Sequence, residues 1–200
     1  MEVERLLVEH GRRQTARDNN RSTPLHQARS VDLARLLLEH SADVTAQDNH
    51  GSTALHRAVQ KGSVDLARLL IEHSADLETQ DKKGWTVLHL AVAEGSVDLA
   101  RLLVQHGSDV KAQDNDGSTA LHRAVMQGSV KFARFLVEHG ADATARDHYG
   151  WTPLHCTLQI ESVDLARLLI ERGADMAAQD NNVGSIVWGG SRPWFRCFIP

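Results

Sequence analysis

One short block of sequence occurs five times in this chain of 200 residues. Each copy carries Thr, a variable residue, Leu and His, and the histidines lie at positions 26, 56, 89, 122 and 155. Successive histidines are 30, 33, 33 and 33 residues apart. A fixed period of this length is typical of helical repeat arrays, in which each repeat packs only against its neighbours. Such an array presents a long surface and no single enclosed cavity, so we look for function on that surface.

Residues 48–80 show one complete repeat, which we use to predict the local structure. The hydroxyl of Thr53 is expected to cap a first helix by accepting a free backbone N–H. Gly62 is expected to end that helix, because glycine tolerates the left-handed conformation, and Ser63 is expected to cap a second helix. The predicted core stripes are Leu55, Ala58 and Val59 in the first helix, and Val64, Leu66, Ala67, Leu69, Leu70 and Ile71 in the second.

Charged residues lie opposite the apolar stripe of each second helix. Asp65, Arg68 and Glu72 have helical spacings that allow weak ion pairs, and similar triads recur in other repeats. A charge pattern that recurs with the repeat is expected to form a solvated outer face.

The repeated pattern resembles the ankyrin repeat family over residues 2–180. The matching motifs of one repeat are Asp48-Asn49-His50-Gly51, Thr53-Ala54-Leu55-His56-Arg57-Ala58, Val64-Asp65-Leu66-Ala67-Arg68-Leu69-Leu70 and Ser74-Ala75-Asp76. The resemblance implies an all-α solenoid of paired antiparallel helices with β-turn tips. We expect five units preceded by an N-terminal half-unit in an array at residues 1–181, followed by an irregular apolar tail at residues 182–200.

Three departures from the repeat suggest local irregularities. The first full unit lacks three residues around Gln27-Ala28-Arg29-Ser30, so its first helix should be short. Arg21 replaces a turn glycine, and Glu161 replaces the glycine between two helices, so we expect that second corner to change shape. Because the short helix and the half-unit bury little surface, local opening is expected to begin at the N-terminal end.

The tail differs in composition from the array. Four of the nine aromatic residues of the chain, Trp188, Trp194, Phe195 and Phe198, lie within residues 186–200. Three interpretations remain open for this segment: an apolar flap over the last repeat, sequence unrelated to the array, or a peptide that binds a partner.

Composition excludes several classes of function. The formal net charge of −4 argues against a generic nucleic-acid or anionic-membrane binder, since both need a basic face. Two cysteines are too few for a disulfide framework and fit a reducing compartment. Met1-Glu2-Val3-Glu4 lacks the features of a secretory signal, and no apolar run reaches the roughly 20 residues of a membrane span. We therefore expect a cytoplasmic or nuclear monomer.

Twelve histidines raise the question of a metal or catalytic site. Ten of them recur with the repeat, and members of one series are separated by about 10 Å, too far to share a zinc ion. The resemblance implies that the histidines of the repeated block bond to neighbouring backbone. We predict no metal, no cofactor and no catalytic residue. An enzyme is the alternative of a different class, and substitution of His148, Tyr149 and Cys156 would test it.

Positions that vary between otherwise similar units are candidates for partner binding. In the ankyrin family the turn tips and first-helix ends line a concave face, and the resemblance implies the same here. This variable set comprises Asn49, His50, Ser52, Gln60, Lys61, Lys82, Lys83, Trp85, Glu94, Asn115, Asp116, Ser118, Met126, Gln127, His148, Tyr149, Trp151, Gln159 and Ile160. For Trp85 and Trp151 two interpretations remain open: each anchors a partner, or each packs against its own turn.

The expected function is a non-enzymatic scaffold that binds a protein partner, of unknown identity, on this concave face. The alternative is a fragment of a larger signalling or innate-immune-type protein in which the array is the recognition arm. The start of the chain within a repeat and the irregular tail motivate that alternative. The near-identical segments that begin at residues 31, 64, 97 and 163 suggest recent duplication.

Overall fold

The computed structural model describes residues 17–181, so the predictions for the half-unit and for the tail lie outside the described residues. Within this range five pairs of helices follow one another. They are α1 (Pro24–Gln27), α2 (Val31–Glu39), α3 (Ala54–Gln60), α4 (Val64–Glu72), α5 (Val87–Ala93), α6 (Val97–Gln105), α7 (Ala120–Met126), α8 (Val130–Glu138), α9 (Pro153–Gln159) and α10 (Val163–Glu171).

The helices form two layers. The first helix of each pair packs against its own second helix and against the first helices of adjacent pairs, while the second helices pack in a parallel series of their own. This arrangement confirms the predicted all-α solenoid. Among the described helices, none is long and apolar enough to cross a membrane.

The apolar stripes form one continuous core along the array. Leu55, Ala58 and Val59 are each 0 % exposed, and their equivalents in α5 and α7 belong to the same cluster. In the second helix the buried residues are Leu66, Ala67, Leu69 and Leu70, and Val64 and Ile71 are half-buried against the core. The predicted stripes are therefore confirmed.

The charged face of the second helices points to solvent. Asp65, Arg68 and Glu72 are all exposed, as the pattern predicted. Within residues 17–181 the structure records no ion pair among them. Charges of this kind keep the outer face soluble and add little to stability.

The helix ends follow the predicted chemistry with one exception. Thr53 Oγ1 accepts a hydrogen bond from His56 N, and Gly62 adopts a left-handed φ of 68°. Ser63 makes no side-chain cap, whereas Ser96 at the equivalent position accepts from Leu99 N.

Helix α1 is short, as the missing residues predicted. It has 4 residues, against 7 in α3. Lys61 of the next unit reaches into the space beyond its end, where Lys61 Nζ lies 3.4 Å from the carbonyl oxygens of both His26 and Ala28. A side chain from the adjacent unit thus satisfies carbonyls that another helical turn would have covered.

The corner at Glu161 keeps its left-handed turn but changes at the end of α9, in line with the expectation from sequence. Ile160 has a φ of −104°, against −84° for Lys61. Among the described residues, Ile160 N and Glu161 N make none of the bonds that Lys61 N and Gly62 N donate to Arg57 O and Val59 O.

Glu161 has a φ of 52°, close to the 68° of Gly62, and Ser162 N still donates to Thr157 O as Ser63 N donates to Ala58 O. A side chain is tolerated because the equivalent Gly62 has no atom within 4 Å of an added Cβ. The strain at Glu161 therefore lies in its backbone conformation alone.

Replacing Glu161 by glycine is expected to stabilise the array by about 1 kcal/mol, because it relieves a left-handed non-glycine residue. Gly128→Glu is the matched reverse change, since Gly128 has a φ of 70° and open space around its Cβ position. It should lower the free energy of unfolding by a similar amount. Urea unfolding of both variants tests this, and equal midpoints would show that the corner is unstrained.

Candidate functional site

The variable residues at the turn tips are held by an aspartate in each unit. Asp81 Oδ1 accepts hydrogen bonds from Lys83 N at 2.7 Å and from Trp85 N at 3.0 Å. Asp48, Asp114 and Asp147 make the same pair of bonds in their own turns. Each tip is therefore a defined turn and presents its side chains from a fixed backbone.

Successive tips also bond to one another. Lys82 N donates to His50 O at 2.9 Å, Asn115 N to Lys83 O at 3.1 Å, and His148 N to Asp116 O at 2.8 Å. The approach is close enough to require glycine: a Cβ added at Gly84 would lie 2.4 Å from Asn115 N. The tips thus form one hydrogen-bonded row along an edge of the array.

Histidines of the repeated block connect each unit to the next. Thr53 N donates to His56 Nδ1 at 3.2 Å, so Nδ1 is the unprotonated nitrogen and Nε2 carries the hydrogen. His56 Nε2 then donates to the carbonyl oxygen of Trp85 at 3.2 Å. Equivalent bonds run from His26 to Ser52 O (3.0 Å), His89 to Ser118 O (3.2 Å) and His122 to Trp151 O (3.1 Å). The bonding to neighbouring backbone implied by the resemblance is confirmed for these four.

Burial lowers the pKa of each of these histidines below the ordinary 6.5, although the backbone bond partly opposes that effect. The neutral form is also the one that the geometry needs, since a proton on Nδ1 would face the threonine N–H. These imidazoles are therefore neutral structural groups and are not available as metal ligands or catalytic bases.

The second series of histidines ends the second helices. His73 Nδ1 lies 2.9 Å from Leu69 O, and His40, His106 and His139 make the same contact with a carbonyl four residues earlier. These imidazoles donate to carbonyls near the helix C-terminus. Their role stays within one helix, unlike that of the block histidines.

The remaining candidates for catalysis, Cys156, His148 and Tyr149, differ in their surroundings. Cys156 is buried, and burial raises the pKa of its thiol to about 12, so it is not a thiolate at neutral pH. His148 and Tyr149 are exposed at a turn tip. Among residues 17–181 no group of three or more His, Cys, Asp or Glu side chains has a geometry that could hold a metal ion.

Most of the variable set is exposed. The exposed residues are Asn49, His50, Gln60, Lys61, Lys82, Lys83, Glu94, Asn115, Met126, Gln127, His148, Tyr149 and Gln159, and the half-buried ones are Trp85, Asp116, Ser118, Trp151 and Ile160. Tyr149 is 52 % exposed and Met126 38 %, so both present apolar surface to solvent. Ser52 is only 2 % exposed, so its side chain cannot reach a partner.

Several exposed members of the variable set also hold the array together. Asn49 and Asn115 donate their side-chain amides to the carbonyl oxygens of Asn19 and Lys82, at 3.1 and 2.8 Å. Gln127 Nε2 donates to Ala93 O at 3.0 Å, and Lys61 closes the end of α1. Variation between units therefore does not by itself separate partner-binding positions from structural ones.

Two cations lie close to the ring of Trp85. The guanidinium carbon of Arg123, from the following unit, is 3.8 Å from the ring centroid, and Lys83 Nζ is 5.0 Å from it. Arg123 is held in place by Asp114, with an N–O distance of 3.2 Å. These cations cover part of the ring within the array, so Trp85 has a structural role whether or not it also contacts a partner.

A double-mutant cycle measures that role. Trp85→Ala and Arg123→Leu should each lower the free energy of unfolding. The loss in the double variant should be about 1 kcal/mol smaller than the sum of the two single losses. Leucine suits the test because Leu90 occupies the equivalent position in the preceding unit. Strict additivity of the free energies of unfolding would contradict a coupled Trp85–Arg123 pair.

Sequence analysis missed a further row of hydrogen bonds. Gln80 Nε2 donates to Gln113 O at 2.8 Å, and Gln47, Gln113 and Arg146 make the equivalent contact with the residue 33 positions later. The sequence did show that glutamine recurs before the turn aspartate. The role of these glutamines became visible only once the stacked turns were seen.

Comparisons with known proteins agree with this architecture. A family model of ankyrin repeats in three copies matches residues 32–114 and 106–180. A crystal structure of the ankyrin repeat domain of Bcl-3, a member of the IkappaB protein family, superposes with a TM-score of 0.85 at 30 % sequence identity. That alignment covers 92 % of this chain and 85 % of that one. Curated protein sequences gave no significant match. Because 614 solved chains share significant similarity, the likeness identifies a fold and leaves the partner open.

Proposed function

Because this chain belongs to the ankyrin repeat family, we propose that it is a non-enzymatic scaffold that binds a protein partner along its turn tips and first-helix ends. The observation that carries the proposal is the row of exposed, differing side chains on a hydrogen-bonded row of turns. A rigid row lowers the entropy lost on binding, and variation along it supplies specificity.

The binding residues we propose are the exposed members of the variable set, which excludes Ser52. Lys82, Lys83 and His50 lie on adjacent tips, where they favour a partner that is acidic or mixed in charge. Tyr149 and Met126 add apolar contact area. Trp151 is half-buried, so its exposed edge is included in the proposed surface.

A reducing compartment, cytoplasm or nucleus, fits this proposal, with the array acting as a monomer. Two cysteines in the chain and the buried free thiol of Cys156 support that placement. The use of the array as the recognition arm of a larger protein remains the alternative, and it requires the same binding surface.

The test compares two charge reversals of equal size. Lys82→Glu with Lys83→Glu changes the turn tips, and Arg68→Glu with Arg167→Glu changes the exposed outer face of the second helices. Proteins captured by the unaltered chain would be identified by mass spectrometry, purified and titrated against both variants. The tip variant should weaken binding about tenfold or more, and the effect should shrink with added salt.

The outer-face variant should bind like the unaltered chain. Thermal melts of both variants must show that they stay folded. Equal loss of affinity in the two variants, or a loss confined to the outer-face variant, would move the binding surface away from the tips.

A further inference from the structure

The last described unit exposes apolar side chains that are better covered in the other units. Val163 is 56 % exposed, Ile170 41 % and Met176 62 %. The equivalent residues of the preceding unit, Val130, Val137 and Ala143, are half-buried or buried against the core. We call the surface formed by Val163, Ala166, Ile170 and Met176 the C-terminal end face.

A polar group also lacks its usual contact at this end. His155 is 7 % exposed, and its Nε2 makes no hydrogen bond of normal geometry in the described part of the chain. The backbone of Ala178 is near enough only to oppose the lowering of the His155 pKa by burial. The equivalent nitrogens of His56, His89 and His122 each bond to a carbonyl oxygen 29 residues later. A buried donor without a partner destabilises a fold by about 1–3 kcal/mol, so a carbonyl supplied here would be favourable.

The position 29 residues after His155 is Gly184, and the sequence from Asp180 to Ser185 has one residue more than the corresponding sequence of the other units. Continuation of the repeat spacing beyond Asn181 would therefore make the carbonyl oxygen of Gly184 or of Ser185 the acceptor for His155. Asn181 leads the chain to this position, because Asn181 N donates to Tyr149 O at 2.9 Å and Asn181 Nδ2 to His148 O at 2.9 Å. The row of tips thus continues to the start of residues 182–200.

We propose that residues 182–200 of this chain cover the C-terminal end face and supply a backbone carbonyl to His155. The segment is apolar enough for this role: Ile186, Val187, Trp188, Trp194, Phe195, Phe198 and Ile199 all lie within it. It is also long enough, since 19 residues reach up to about 60 Å and α10 is only about 14 Å long. This cap is separate from the proposed partner surface on the tips.

Residues 182–200 carry Arg192 and Arg196 and no Asp or Glu, so they could pair with Asp164 and Glu171, which are exposed on α10 beside Arg167. A segment attached at Asn181 also has a high effective concentration at this face, which favours it over a separate molecule.

Disulfide trapping in the full chain tests the proposal, because Cys197 already lies in the segment. Ile170→Cys places a thiol on the C-terminal end face, and Arg68→Cys places a matched thiol on an exposed outer helix. Under mild oxidation at low protein concentration, Cys197 should link within one chain to position 170 about tenfold more than to position 68. Peptide mapping by mass spectrometry measures both yields.

Amide hydrogen exchange of the unaltered chain is the second readout. Amides of residues 186–199 should exchange about tenfold or more slowly than in an unstructured peptide. Unprotected amides, or equal trapping at positions 68 and 170, would overturn the proposal. Trapping that joins two chains and rises with protein concentration would overturn it in favour of a second copy on this face. None of these outcomes depends on the tip surface, so failure here is distinct from failure of the proposed function.

Discussion

Replacing His89 by alanine is expected to lower the free energy of unfolding by about 3 kcal/mol. The change removes three contacts of a residue that is 1 % exposed: one to Thr86 N, one to Thr86 Oγ1 and one to Ser118 O. It leaves a small cavity and leaves buried polar atoms without partners. Because the bond to Ser118 joins two units, the array should open at this junction.

His106→Ala is the matched control. His106 is exposed, and its Nδ1 contacts only Leu102 O, an acceptor that already receives the backbone N–H of His106. The expected loss is about 1 kcal/mol or less. Urea unfolding followed by circular dichroism, with hydrogen exchange at residues 86–125, measures both variants. Similar losses for the two histidines would contradict a special role for the contact between units.

Acidification from pH 7.5 to pH 5 is expected to destabilise the array steeply. Burial lowers the pKa of His26, His56, His89 and His122 in the folded state from the ordinary 6.5. Above pH 6.5 both states are neutral, and these groups add no pH dependence. Below it the unfolded chain binds protons that the folded chain does not, so each histidine removes up to about 1.4 kcal/mol per pH unit. The loss ends once pH falls below the lowered folded-state pKa.

Asp43 and Asp142 do not interfere in this window. Hydrogen bonds from Thr45 and Thr144 lower the pKa of Asp43 and Asp142 below the ordinary 3.8, so the stability they contribute is lost only at more acidic pH. Melting temperatures between pH 5 and pH 7.5 measure the histidine effect. His89→Ala should show a shallower pH dependence, by about one proton, than the unaltered chain. A melting temperature constant over this range would contradict the neutral histidine series.

The regular parts of the fold were predictable because each of them depends on local chemistry. The spacing of Leu55, Ala58 and Val59 determines which face of a helix is apolar, and their burial followed. The same holds for the stop at Gly62 and for the shortened α1, since a missing helical turn is visible as missing residues.

The corner at Glu161 was predicted to change, but the sequence could not show which part of it is retained. Sequence rules count the preference of a residue for a conformation, and glutamate disfavours a positive φ. They do not count the hydrogen bond from Ser162 N to Thr157 O, which requires that conformation in the assembled corner. The tertiary context outweighs a local preference of about 1 kcal/mol.

Sequence by itself determined the family, the paired helices of each unit and the set of varying positions on the tips and helix ends. Only the tertiary structure decided which of those positions are exposed and which also hold the array together, because the deciding contacts join residues more than 30 positions apart. Ser52 is buried, Asn115 and Gln127 bond to the preceding unit, and Trp85 lies against Arg123. Such contacts form only when units stack. Stacking brings together side chains that are far apart in the sequence, so no local sequence pattern reveals the contact.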